Sequence, residues 1–363
     1  MKRKCIGCGA ILQTIDSEKI GYIDEEILKR DGQVYCKRCF RLKHYNQNID
    51  VKLDHNNDFS EIKEKPGLIV NIIDLFNLDG AIIPNINNFF DSDNIILVFN
   101  KFDLYSKSIN RNKLRVYLQE YCDEKQIKYK DLMIISSFKK NDIIDLINKI
   151  GKYRNNQNVY FVGITNVGKS SIINQILSIF TNNKDLITVS NTINTTLGNI
   201  YIPLEDGGYL VDTPGIIKED SLHNYISKDT LDNIVPKKIV NPKSYQLNPK
   251  QTLFIGGFAR IDFLEGEKSS FVTYFKNELV IHRTKLENAD SFYQQHFQDI
   301  LKYPLKDEIK LLGDKKNYHF SFTKDSKIDI VISGLGHVAI TGVGKIKVTT
   351  FSNINIIKRK AMI

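Results

Sequence analysis

Short apolar runs and helix-period segments alternate through the middle of the chain. Leu68–Ile73, the NIILVF and DLMII stretches, Val159–Val162 and the YLV before Asp212 are predominantly apolar runs, the first interrupted only by Asn71, the pattern of strands buried on both faces of a sheet. Between them, NRNKLRVYLQEYCDEKQI, NDIIDLINKIGKY and SIINQILSIF read as helices. The second is amphipathic, with Ile and Leu at helical spacing. This alternation predicts an α/β domain over residues 51–228. Beyond it the pattern changes. SFVTYFKNELVIHRT and IDIVISGLGHVAITGVGKIKVTTF read as strands with glycine turns, so residues 229–363 are expected to form a β-rich, α+β domain. No run approaches the roughly 18 unbroken apolar residues of a membrane span. The basic start, MKRKCIGCGA, lacks an apolar signal segment, and a cytoplasmic location is expected.

The first 50 residues are too few to build a core and carry a different device. Four of the five cysteines fall into two pairs, Cys5-x2-Cys8 and Cys36-x2-Cys39. Two such knuckles match a structural zinc site, in which four thiolates close a tetrahedron and leave no open position for catalysis. The metal then stands in for the missing core. A reduced, cytosolic chain disfavours disulfides at these positions. Basic residues crowd the second knuckle, CKRCFRLKHY, where the ribbon can also touch phosphate backbone.

Charge divides the chain in the same places. Residues 1–50 hold 10 Lys+Arg against 7 Asp+Glu, residues 51–236 hold 20 against 23, and residues 237–363 hold 21 against 12, within a net charge of +9. A near-neutral middle beside a basic final third points to a polyanionic partner, nucleic acid first. A solvated lysine surplus is the alternative.

Polar residues at strand ends carry the candidate chemistry. The NIILVF run ends in Asn100-Lys101-Phe102-Asp103, an N-K-x-D pattern. A carboxylate at Asp103 accepts two hydrogen bonds from guanine N1–H and the N2 amine, which adenine does not offer. The Lys101 stem covers the ring face, and Asn100 ties this turn to the phosphate loop. Ordinary turn chemistry is the alternative. DLMII runs into Ser136 and Ser137, where a short turn would offer a backbone N–H to guanine O6.

Val159–Val162 leads into Gly163-Ile-Thr-Asn-Val-Gly168-Lys169-Ser170, and a helix follows. G-x-x-x-x-G-K-S between strand and helix cradles phosphates with backbone N–H groups and the helix N-terminus. Asn166, Val167, Gly168 and Ser171 belong to the same loop. Lys169 is expected to neutralise β- and γ-phosphate oxygens, and Ser170 to ligate Mg²⁺. In Asp212-Thr-Pro-Gly215, Asp212 is expected to hold Mg²⁺ through water and the Gly215 amide to sense the γ-phosphate. Upstream, Thr196 in NTINTTLGNI is the candidate switch threonine that reaches the metal. Lys169, Thr196 and Gly215 are thus the candidate catalytic groups. The GVGK at 342–345 is no second loop, because Ile346 follows it.

The order is guanine reader, guanine turn, phosphate loop, switch threonine, then DTPG. An ordinary GTPase begins at the phosphate loop, whereas here more than 150 residues precede it. The domain reads as circularly permuted, a mild change when the ends of a compact domain lie close together. The segment after DTPG then runs straight into the final domain, so loss of the γ-phosphate can move what is attached there.

Four N-terminal cysteines, then NKFD, ISS, GITNVGKSS, TTL and DTPG in this order resemble the YqeH family of permuted bacterial ribosome-assembly GTPases over nearly the whole chain. The RsgA family, also permuted, places an RNA-binding barrel first and its zinc motif last. The resemblance implies a GTPase that uses GTP/GDP and Mg²⁺, with structural Zn²⁺ on the four cysteines. It implies a role in maturation of the small (30S) ribosomal subunit and a final domain that binds RNA or peptide. A free monomer without membrane association is expected. One departure is Ile193-Asn194, where the family usually has Pro-Gly before the paired threonines. A non-hydrolysing, zinc-dependent RNA-binding scaffold and a P-loop enzyme acting on a small molecule are the alternatives.

Ile216 and Ile217 stand where many signalling GTPases place a water-orienting glutamine. An apolar side chain cannot orient water, so transition-state charge must be met by Lys169, Mg²⁺ and a substitute for an arginine finger. The resemblance to hydrophobic-substituted GTPases with G-x-x-N-V-G-K-S implies that Asn166 offers its carbonyl oxygen to K⁺, with slow intrinsic turnover. An asparagine that simply tolerates the loop backbone is the alternative.

Overall fold

The computed structural model describes residues 59–182, 194–196, 199–216, 218 and 221–363, together with Arg3 and residues 11–15, 22–29, 34, 36 and 37. The chain divides into two compact units, residues 1–102 with 120–217, and residues 103–119 with 218–363. The division passes through helix α1 (Arg111–Glu124).

The first unit is organised by one seven-stranded sheet. Its strands are β1 (Gly67–Asp74), β2 (Ile95–Asn100), β3 (Asp131–Ile134), β4 (Asn158–Val162), β5 (Asn194–Thr196), β6 (Asn199–Pro203) and β7 (Tyr209–Asp212), in the order β3-β2-β1-β4-β7-β6-β5. The strands from β3 to β7 in that order run parallel, and β6 and β5 return antiparallel at the edge. Every residue of β2 is buried, as is β1 up to Ile73. A parallel sheet covered on both faces has no solvent side, which is why these strands are almost wholly apolar, with buried Asn71 the one polar residue inside β1. Helix α2 (Lys140–Tyr153) buries Ile143, Leu146, Ile147 and Ile150, one stripe at three- and four-residue spacing. Helix α3 (Lys169–Asn182) follows β4 directly. Because five strands run the same way, Asp74, Asn100, Ile134, Val162 and Asp212 all end at one edge of the sheet, where open α/β sheets gather their ligands.

Among the described residues the second unit holds ten strands: β8 (Lys243–Leu247), β9 (Gln251–Ile255), β10 (Ala259–Gly266), β11 (Ser269–Tyr274), β12 (Ile281–Lys285), β13 (Lys315–Phe322), β14 (Ile328–Ile332), β15 (Gly336–Thr341), β16 (Gly344–Phe351) and β17 (Ile356–Lys360). They form two five-stranded sheets, β12-β9-β10-β16-β13 and β17-β14-β15-β11-β8, and every pairing is antiparallel. Leu253, Ile261, Phe263 and Val348 of the first sheet share a core with Phe271, Ile330, Val338 and Ile340 of the second. Strand β11 alternates buried and half-buried positions along SSFVTY, as expected when one face meets a core. Helix α4 (Ala289–His296) is the longest helix lying wholly within this unit among the described residues. Residues 103–119 join the same unit through Val240 N–H to Leu104 O at 2.8 Å and Tyr117 Oη to Lys360 O at 3.1 Å.

Candidate functional site

The site is built at the common edge of the parallel strands, and one side chain joins three of its motifs. Asn100, the last residue of β2, is fully buried. Its Nδ2 donates to Val167 O at 2.9 Å and its Oδ1 accepts from Ser137 N–H at 3.0 Å. A single amide therefore links the N-K-F-D turn, the phosphate-loop motif and the Ser136-Ser137 turn. Neither aspartate nor alanine offers both a donor and an acceptor there. The main chain reinforces the junction through Phe102 N–H to Ile135 O at 3.1 Å.

Lys101 has φ 68, in the left-handed region, and its ammonium pairs with Asp74 Oδ2 at 2.6 Å. Asp74 closes β1 and also accepts from Phe76 N–H at 2.9 Å, so the lysine is anchored to the neighbouring strand. Asp103 follows in a single 3-10 turn, Phe102–Leu104. The Ser136 N–H donates to Asp142 Oδ2 at 2.8 Å. Asp142 lies in the first turn of α2 and is buried. Sequence reading passes over Asp142; its only local signal is an acid at a helix start just after a serine turn.

Between β4 and α3 the backbone coils tightly. Asn166 has φ 66 and Gly168 φ 98, both left-handed. A Cβ on Gly168 would stand 2.4 Å from Asn100 Nδ2, so glycine is required by both the dihedral and the junction. Val167 is buried, while Asn166 and Ser171 are exposed. Lys169 opens α3 and is 4% exposed. Its Nζ donates to Gly163 O at 2.9 Å and reaches Ile164 O at 3.4 Å. Burial pushes this ammonium down to about 8, against the pull of the Asp212 charge.

Asp212 ends β7 and is buried, which pushes its carboxyl up to about 6 despite Lys169 and the Ser170 hydroxyl. Ser170 Oγ donates to Asp212 Oδ2 at 3.4 Å. Asp212 Oδ1 is buried without a hydrogen-bond partner among the described residues. Such an atom is costly unless something satisfies it. A bare carboxylate oxygen beside a hydroxyl is a donor set for a hard cation, so these residues fit Mg²⁺. After Asp212, Thr213 Oγ1 donates to Phe161 O at 2.8 Å. Ile216 N–H donates to Gly163 O at 3.1 Å and Thr165 N–H to Ile216 O at 3.0 Å. The DTPG segment is thus laced to the phosphate-loop motif. A Cβ on Gly215 would lie 2.9 Å from Thr165 Cγ2 and 3.2 Å from Lys169 Nζ.

Other candidates stand apart from this geometry. The Thr196 backbone belongs to β5, opposite Asn199 of β6. Cys36 is buried with Leu12 and Ile23; Cys5, Cys8, Cys39 and Ile193 lie outside the described residues. Among the described residues no three His, Cys, Asp or Glu side chains gather as a metal cluster, and no helix is long and apolar enough to cross a membrane.

Comparison with known proteins completes the picture. Residues 158–246 match the 50S ribosome-binding GTPase family, and residues 268–362 match the YqeH-like, C-terminal family. Over 364 residues the chain is 41% identical to YqeH of Bacillus subtilis, with 99% of each protein covered. It is 25% identical over 402 residues to NO-associated protein 1, chloroplastic/mitochondrial, of Arabidopsis thaliana, covering 97% of this chain and 72% of that one. It is 25% identical over 279 residues to the tRNA modification GTPase MnmE of Mycoplasma genitalium, covering 76% and 58%. With guanine-type and phosphate-loop motifs meeting at one sheet edge and similarity running end to end, the chain belongs to the YqeH family of GTPases.

Proposed function

We propose that this GTPase is a nucleotide-driven switch in assembly of the small (30S) ribosomal subunit. The observation that carries the switch reading is the double use of Asn100, which holds the N-K-F-D turn against the phosphate-loop motif. In this reading Asp103 selects guanine, Lys101 covers the base, and the Ser136-Ser137 turn faces guanine O6. Residues 163–171 receive the phosphates, with Lys169, Thr196 and the Gly215 amide at the γ-phosphate. Ser170, Thr196 and Asp212 hold Mg²⁺, which supplies charge neutralisation between the β- and γ-phosphates. Asn166 offers its carbonyl to K⁺.

Residues 51–228 form a circularly permuted domain. What supports this is that β1, which precedes the phosphate loop in sequence, pairs with β4 in the sheet, and β2 pairs with β1 on its other side. Residues 1–50 form a ribbon in which Cys5, Cys8, Cys36 and Cys39 bind zinc, and residues 229–363 contact rRNA in the cytoplasm. The ribosomal assignment rests on the basic final third, 21 Lys+Arg against 12 Asp+Glu, and on a family match whose description names ribosome binding.

That description names the 50S particle, which makes the large subunit the second reading. Single-turnover GTP hydrolysis, measured alone and with purified 30S or 50S particles, separates them. The 30S particle is expected to accelerate hydrolysis and to retain the protein with a non-hydrolysable GTP analogue better than with GDP. Acceleration by 50S alone transfers the assignment to the large subunit, and no response to either removes the ribosome.

A further inference from the structure

The outer face of the β12-β9-β10-β16-β13 sheet carries groups that the nucleotide site does not use. His282, Phe254, Arg260, Thr349 and Asn317 stand in register across all five strands, each opposite the next. Helix α4 covers one end of this row, where the Tyr293 ring stacks 6.2 Å from Phe254. Beside the helix opens a cavity of about 290 Å³, lined by Phe254, Ala259, Arg260, Tyr293, Gln294 and Lys315 among others.

Its charges do not cancel. Arg260 lies against two carboxylates, fully buried Asp262 and exposed Asp290. Lys347 reaches Asp262 at 3.1 Å. Two cations therefore meet two anions, and Lys315 is left over. Its Nζ sits 4.7 Å from the Tyr293 ring centroid and 3.7 Å from that of Phe351, with Tyr293 Oη at 3.3 Å. Among the described residues no carboxylate pairs with it. Burial, with Arg260 nearby, pushes this ammonium down to about 8. The lysine is nonetheless exposed to solvent, so an incoming anion can reach its charge.

We infer that this cavity holds one unpaired nucleotide of single-stranded RNA, its phosphodiester on Lys315 and its base against the Tyr293 ring. The inference rests on the proposed RNA contact of residues 229–363 and names its site. One surplus cation matches the single charge of a phosphodiester, whereas a nucleoside triphosphate would bring several charges against Asp290 at the rim. Aromatic stacking accepts any base, and the exposed Gln294 amide is placed to hydrogen-bond a base edge. A cavity of this size takes one base and excludes a base pair.

The test is fluorescence anisotropy of the full chain with a short labelled oligouridine, across a salt series. Lys315→Met keeps an apolar stem on the rings and removes only the charge. It is expected to weaken binding about tenfold and to flatten the log–log salt slope by about 0.7. Lys345→Met, at a surface lysine paired with Glu265, is the charge control and should stay near wild type. If Lys315→Met loses its fold, Gln294→Ala at an exposed position should still weaken binding measurably. A 4-thiouridine oligomer is expected to crosslink within residues 289–297.

Equal affinities of the Lys315→Met and Lys345→Met proteins, with wild-type RNA binding intact, overturn the cavity while leaving the broader RNA contact standing. Absence of oligomer binding by the wild type overturns both. Uridine 5′-monophosphate binding as tightly as the oligomer overturns the RNA source in favour of a free nucleotide. Displacement of RNA by a short peptide with a free carboxylate end overturns the nucleotide itself.

Discussion

The two units of this chain set out their polar chemistry in different ways. In the α/β unit, strands β1 and β2 are buried on both faces, so function is confined to strand ends. There Asn100, Lys169, Ser170 and Asp212 converge from distant positions. In the β-rich unit the two sheets share one core, and the outer face of the β12-β9-β10-β16-β13 sheet carries a row of polar and aromatic side chains. Parallel sheets concentrate chemistry at a point, and antiparallel sheets spread it over a surface. A substitution at the ends of the parallel strands, or in the turns that follow them, should therefore change one nucleotide parameter sharply, and one on the antiparallel sheets should leave the nucleotide untouched.

The largest expected effect tests the point-like site. Asp103→Asn replaces a carboxylate acceptor with an amide donor and should turn preference from GTP toward xanthosine triphosphate, whose C2 carries oxygen. The ratio of the two affinities should move by about 10⁴, the scale at which a site built to hydrogen-bond one partner rejects another. Competition against a fluorescent nucleotide reads it directly. Retained GTP preference would mean that guanine is not read at Asp103. RNA affinity should not change.

Each unit also has a buried polar keystone, and removing the two should give different losses. Asp329 is fully buried and accepts from Arg359 at 3.3 Å and from the Met362 N–H at 3.1 Å. Asp329→Ala strands the Arg359 charge and should destabilise the β-rich unit by about 3–5 kcal/mol, with guanine discrimination unchanged. Asn100→Ala leaves Val167 O and Ser137 N–H unpaired and should cost about 2–3 kcal/mol, with GTP affinity falling as well. Native-state hydrogen exchange, followed at β14 and at β2 separately, assigns each loss to its unit. An Asn100→Ala protein with unaltered GTP affinity would detach the junction from nucleotide binding.

The same contrast explains what could be read from the sequence. The alternation of apolar runs and helical segments marks the α/β unit because its strands are short, buried and local. Motif spacing likewise points to Asn100 as a tie to the phosphate loop. Spacing does not show that the same amide also holds Ser137 N–H, that Lys101 is anchored to Asp74 27 residues earlier, or that Asp142 pins Ser136. Those pairings depend on which strands become neighbours. In the β-rich unit, glycine turns and alternation give the strands away. The row from His282 to Asn317 does not exist until five strands from separate hairpins come into register, and helix α4 leaves no periodic signal strong enough to stand out among them.

The smallest expected effect concerns how hydrolysis proceeds without a water-orienting side chain. Ile216 is apolar, and both its N–H and its carbonyl are committed to Gly163 and Thr165, so neither end of the residue is free to act on water. Asn166 is exposed and sits at φ 66, in a conformation that asparagine tolerates and alanine disfavours. Asn166→Ala would thus mix a lost carbonyl with a strained loop. Asn166→Gly removes the carbonyl and keeps the backbone conformation at no steric cost. In the wild type, intrinsic hydrolysis should run several-fold faster in K⁺ than in Na⁺ at equal ionic strength, a barrier difference of about 1 kcal/mol. In Asn166→Gly the two rates should coincide while GTP still binds. Equal wild-type rates in the two salts would remove the cation role and move the missing charge to a group donated by the partner. A K⁺ effect that survives in Asn166→Gly would place the cation on other oxygens of the loop.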